Sequence, residues 1–143
     1  MRLIRLGYFL FIFLVLSCTD EPNETNFNVS IQNSTENLLE IRAYLETENV
    51  FTVALNPGDN GPSCNYIDEN FRGIFLNNCG IDSLVMKFDN DKGYISTDTN
   101  SGNFNFSKMR NPLLANGGFQ NKRNIYEFLI TQEDFENAFE LPE

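Results

Sequence analysis

Chemistry in this chain has to come from carboxylates, hydroxyls, amines and thiols, because its 143 residues include no His and no Trp. Without imidazole, the commonest general base and the commonest catalytic zinc ligand are both missing. Asp89-x-Asp91-x-Gly93 has the opening of a calcium loop. A hard cation wants about six to eight oxygens, and the EF-hand version needs a third oxygen ligand, a later Gly and a distal Glu. Here Gly comes early, so the segment is expected to be a hairpin turn in which Asp, Asn and Gly supply the backbone angles. No metal and no other cofactor is expected. Asp68-Glu69 is a pair of adjacent acids. Neighbours on a strand face opposite sides, whereas glycosidase acids stand about 5–9.5 Å apart across one substrate. That pair is expected in a solvated loop. The sequence has no G-x-S-x-G elbow and no Gly-rich phosphate loop, so no enzymatic activity is expected. Tyr44, Tyr66, Tyr94 and Tyr126, with the abundant Asn, offer a sugar-binding face. Against it stands the plainer role of Tyr in core and rim packing and of Asn in turns.

Acids outnumber bases, 20 Asp and Glu against 10 Lys and Arg. Binding a phosphate backbone takes clustered Lys and Arg. Lys108 and Arg110 are separated from Lys122 and Arg123 by a Gly-rich stretch. No nucleic-acid partner is expected.

The first residues have the layout of an export signal. Met1-Arg2-Leu3-Ile4-Arg5 is a short positive segment. Leu6 to Leu16 is apolar, with Phe9, Phe11 and Phe13 in it, and the small Ser17 follows. An apolar run this short falls below the ~20 residues a membrane-spanning helix needs, so the segment reads as cleaved rather than retained. Val15-Leu16-Ser17-Cys18 resembles the lipobox of bacterial lipoproteins: aliphatic, tolerant, small, then Cys. Leu at the second place departs from the favoured residues. The resemblance implies a diacylglyceryl group on Cys18, which becomes the new N-terminus, and membrane anchoring by several acyl chains at ~0.8 kcal/mol per buried CH₂. Loss of Arg2 and Arg5 would take the formal charge from −10 to −12. Thr19-Asp20-Glu21 resembles the acidic export signals of surface lipoproteins in the Bacteroidota; a plain acidic linker is the other reading. With its Asn-rich, Phe-rich, acidic composition, the whole chain resembles the small lipoproteins of that phylum, a resemblance that carries no activity. It implies an outer-membrane location, at the periplasmic face or the cell surface.

With Cys18 set aside for lipid, Cys64 and Cys79 remain as a pair in an oxidising compartment, and a disulfide is expected. Two Cys without His make a poor zinc site, which wants four ligands. Asp82-Ser83-Leu84 resembles the O-glycosylation acceptor of secreted Bacteroidota proteins, which implies a glycan on Ser83; an outward strand residue is the plain alternative.

The elements that position these residues read as strands. Residues 18–26 are polar and contain Pro22, and are expected to be a flexible tether before a single domain over 27–143. Period-two patterns then run through Phe27, Val29 and Ile31, through Leu39, Ile41 and Ala43, and through Phe51, Val53 and Leu55. Joined by polar turns, they read as an antiparallel meander. Asn56 to Pro62 is a Pro/Gly break, and 64–70 looks irregular. Gly73 to Leu76 is a short apolar run. Leu84, Met86 and Phe88 form a further strand, then Tyr94 to Thr97, with Phe104 and Phe106 beyond a turn. Residues 107–122 look like a long loop. Residues 124–130 form a strand with apolar residues on both faces, which suggests a central one. Thr131 and Asp134 suggest a helix cap, and Phe135, Ala138 and Phe139 fall at the helical spacing i, i+3, i+4. The expected fold is all-β, an antiparallel β-sandwich, with a small barrel as the alternative, and a short C-terminal helix. The expected function is a non-catalytic envelope lipoprotein that binds, assists or supports, with a membrane as partner through its lipid. A surface carbohydrate- or small-ligand-binding module and a hydrolase inhibitor are the alternatives, so a protein or a glycan partner remains open.

Overall fold

The computed structural model describes residues 23–74, 79–99, 102–106, 110–115, 117–123 and 125–142. The export segment 1–17, Cys18 and Thr19-Asp20-Glu21 lie outside them. Alternation drives the described elements into strands: β1 (Thr25–Ser34), β2 (Leu39–Leu45), β3 (Glu48–Leu55), β4 (Asn60–Asp68), β5 (Ser83–Phe88), β6 (Lys92–Thr97), β7 (Phe119–Lys122), β8 (Ile125–Thr131) and β9 (Phe139–Glu140). The helix α1 spans Gln132–Glu136. One sheet has the order β4-β1-β8-β7 and the other β3-β2-β5-β6-β9. The fold is an all-β sandwich.

β1, β2, β5 and β8 turn apolar residues inward. Val29, Ile31, Phe128 and Ile130 of one sheet and Leu39, Ile41, Leu84 and Met86 of the other are all fully buried. Area removed from water stabilises this core at roughly 25 cal/mol per Å². The β5–β6 and β2–β3 pairs are hairpins whose turns hold Asp91 at φ 64° and Glu46 at φ 57°, and the β7–β8 turn holds Arg123 at φ 53°.

Several details differ from the sequence reading. The expected meander does not form: β2 pairs with β3, but β1 pairs with β4 and β8 in the other sheet. A buried corner at Asn33 redirects the chain. Its Nδ2 donates to Asn37 O at 2.8 Å and to Leu55 O at 3.0 Å, and its Oδ1 accepts from Thr35 Oγ1 at 2.8 Å. Asn33 is wholly buried, so these bonds offset the cost of taking its amide out of water. β1 and β8 run parallel, Val29 beside Tyr126 and Ile31 beside Phe128. The expectation of a purely antiparallel sandwich is therefore corrected for this pair; alternation specifies a face and carries no direction. The segment from Asn60, expected to be broken and irregular, is β4. It tolerates Pro62 because it is an edge strand, where a missing N–H costs no ladder bond. β1 begins at Thr25, two residues inside the expected tether. Ala138 and Phe139 lie beyond the helix, and Phe139 belongs to β9.

Candidate functional site

A cleft opens where β6, Asn105-Phe106, Arg110 and the segment from α1 to β9 meet. It has a volume of about 390 Å³ and is lined by Tyr94, Asn105, Phe106, Arg110, Asp134 and Phe139, with Glu133 and Asn137. Its construction starts from the cap of α1. Thr131 is extended and its side chain accepts from Asp134 N, while the Asp134 carboxylate accepts from Thr131 N at 2.7 Å and from Thr131 Oγ1 at 2.9 Å. This capping box satisfies N–H groups the short helix would otherwise leave unpaired. The other carboxylate oxygen of Asp134 accepts from Arg110 Nη1.

Arg110 is the tie between loop and helix. Its Nη2 donates to Leu129 O at 2.6 Å, and its guanidinium carbon lies 5.2 Å from the Phe128 ring centroid and 5.7 Å from that of Phe106. Phe106 stacks on Tyr94 with centroids 3.9 Å apart and planes 8° apart. The Tyr94 hydroxyl donates to Asp134 O at 2.7 Å. Burial pushes the Tyr94 phenol up to about 12, and the nearby Asp134 carboxylate adds to the rise while Arg110 opposes it. The Asn105 amide, oriented to satisfy both ends, donates to Ile95 O at 2.6 Å and accepts from Gly102 N at 3.1 Å. The walls are thereby fixed by charge-assisted bonds and ring packing before any ligand arrives.

The residues singled out in the sequence are distributed over the molecule. Cys64 of β4 and Cys79 form a disulfide, with Cα atoms 5.7 Å apart. It borders a small apolar recess of about 60 Å³ with Phe51, Ile74 and Ile81. Ser83 is half-buried on the outward face of β5, the face opposite buried Leu84, and donates to Asp82 Oδ1 at 2.8 Å. Asp89 to Asp91 form the β5–β6 turn, and Gly93 already lies in β6. There Asn90 Oδ1 accepts from Lys92 N at 3.1 Å, and Lys87 Nζ pairs with Asp91 Oδ1 at 2.7 Å. Among the described residues no group of three or more His, Cys, Asp or Glu gathers as a metal would require.

Asp68 ends β4 and Glu69 follows it, exposed. Asp68 accepts from Asn70 N at 3.0 Å, and that bond, aided by Arg72, holds its carboxyl below the usual range. The four tyrosines do not share a face. Tyr66 and Tyr94 are buried at 7% and 5% exposure. Tyr126 stacks on Phe71 with centroids 4.3 Å apart, and Tyr44 sits half-buried on β2. Burial raises the Tyr66 phenol, whose oxygen accepts from Arg72 N and donates to Gly73 O. Of the four basic residues, Arg110 is held in the cleft wall and Lys122 pairs with Glu127 at 2.8 Å. Lys108 lies outside the described residues.

Sequence reasoning named Thr131 and Asp134 as a cap. It missed Arg110 as their partner, which comes from a loop whose path no local pattern reveals. Comparison with protein-family models, with curated proteins and with solved structures finds no match.

Proposed function

We propose that this chain is an envelope lipoprotein, anchored through acyl chains on Cys18, whose β-sandwich is a non-catalytic binding or accessory module. The supporting observation is the distribution of thiols. Cys64 and Cys79 bond to each other, as exported domains allow and cytosolic ones rarely do. Cys18 is then the odd thiol, and it directly follows Val15-Leu16-Ser17 at the end of an apolar run. The non-catalytic part rests on the same chemistry as the sequence reading. The chain has no His, and the buried carboxylate beside the cleft, Asp134, commits both oxygens to Thr131 and Arg110. A general acid or base must reach the proton it moves, and Asp134 is held by partners of its own.

The test is radiolabelled palmitate incorporation together with detergent-phase partitioning, on the wild type and on Cys18→Ser. The wild type is expected to take label and enter the detergent phase, and the variant to lose both. An unlabelled wild type, or a variant that partitions like the wild type, overturns the reading.

A further inference from the structure

We propose that the cleft between β6, Arg110 and Phe139 is a binding site for a neutral, hydroxyl-rich ligand, a sugar residue. The proposal rests on the sandwich being a binding module and deepens that reading by naming the site and the ligand class. Size, charge and the kinds of group that line the cleft carry it.

The volume of about 390 Å³ falls in the ~300–1,000 Å³ range of small-molecule sites, which combine apolar walls with a few placed polar groups. The apolar wall is aromatic. Tyr94 and Phe106 are stacked, and Phe139 meets Tyr94 edge-on at 5.7 Å and 83°. Phe139 is 39% exposed although it packs beside a core, so it offers an aromatic surface to the C–H face of a sugar ring. The polar groups are of the kind that meet hydroxyls. Glu133 and Asn137 are exposed at the rim, and Asn137 Nδ2 donates to Glu133 O at 2.8 Å, which leaves the Asn137 carbonyl oxygen as an acceptor. A guanidinium carries five N–H groups; Asp134 and Leu129 O take two of those on Arg110.

Charge disfavours anionic ligands. Arg110 and Asp134 neutralise each other, and Glu133 gives the cleft a net negative sign in a chain whose formal charge is already −10. Anions are repelled. A cation would find the Asp134 oxygens occupied and the Arg110 guanidinium in the wall, leaving it only the solvent-exposed Glu133, whose attraction is screened. A neutral polyol meets neither penalty and can both donate to Glu133 and accept from Arg110. The walls are preorganised by the Arg110 bonds and the Tyr94–Phe106 stack, so little ordering accompanies binding.

Saturation-transfer NMR on the full chain, purified from whichever cell fraction holds it, tests this. The probes are glucose, galactose, mannose and N-acetylglucosamine, with acetate and tetramethylammonium as charged controls. Transfer to the ring C–H protons of at least one sugar is expected. The affinity should fall about tenfold in Phe139→Ala, the weight of one aromatic contact. It should also weaken in Glu133→Ala, whose side chain is exposed and remote from the core. Circular dichroism of both variants should match the wild type. The proposal is overturned if none of the four sugars responds, if the response survives unchanged in a folded Glu133→Ala, or if acetate or tetramethylammonium responds in place of the sugars. A chain found in the soluble fraction would remove the anchoring while leaving this result readable, so the two proposals fail separately.

Discussion

Removing Arg110 should destabilise the sandwich far more than removing any of its surface cations. The Asp134 side chain is 9% exposed and that of Arg110 28%. Arg110→Ala deletes the ion pair, the bond to Leu129 O and the contacts with two aromatic rings. Breaking a buried pair costs about 3–5 kcal/mol because the other charge is stranded. Asp134 keeps its two bonds from Thr131, and Arg110 is partly solvated, so the expected loss is about 2–3 kcal/mol. A double-mutant cycle of Arg110→Ala with Asp134→Asn, read by urea unfolding of the oxidised protein, isolates the pair. The expected coupling is about 1.5–3 kcal/mol, with an unchanged m-value. The control cycle uses Lys87 and Asp91, whose side chains are 39% and 82% exposed; such exposed pairs contribute about 0–1 kcal/mol. A coupling for Arg110–Asp134 no larger than that of the control would refute the claim that this pair ties the loop to the helix.

Alkaline titration should separate Tyr94 from the other phenols. Its folded pKa lies above the unfolded value of about 10, so its contribution to stability is fully present below pH ~10 and is lost as the pH rises toward ~12. Stability measured across that window should fall less steeply in Tyr94→Phe, and the latest-titrating tyrosinate absorbance of the folded wild type should be lost in that variant. The disulfide spans a sequence separation of 15 residues. Paired Cys64→Ser and Cys79→Ser substitutions should lower the unfolding free energy by about 3 kcal/mol, and a loss under ~1 kcal/mol would mean the unfolded chain was already constrained. Gly93 faces Met86 O, with an added Cβ only 1.9 Å from that oxygen. Gly93→Ala should therefore part the β5–β6 ladder and cost about 2 kcal/mol or more; Gly58→Ala, at an open turn with φ 85°, should cost about 1 kcal/mol from backbone strain alone. Equal melting shifts for the two would count against the steric argument.

Much of the cleft was illegible beforehand. Tyr94 lay in an expected strand and Asp134 in an expected cap, and both are there. The link between them is a loop residue, Arg110, that acts 24 positions from its partner. Phe139 was assigned to a helical apolar face, and instead extends as β9 beside Gly93. Helical spacing counted the residue correctly as apolar. It had no means of registering that the free edge of β6 was available to pair with it.

The sequence by itself determined the strands with clear alternation (β1, β2, β3, β5, β6 and β8) and their apolar faces, where the cap of the last helix falls, and that two of three thiols belong together; β4, β7 and β9 escaped it. Those properties depend on near neighbours: a period of two, a Thr three residues before an Asp, a parity of Cys. Tertiary structure alone decided that β1 leaves the meander, runs parallel to β8, and lets a loop arginine reach the helix cap. Pairing direction and sheet membership depend on which apolar faces meet across the core, and alternation is the same whether a strand's neighbour runs up or down.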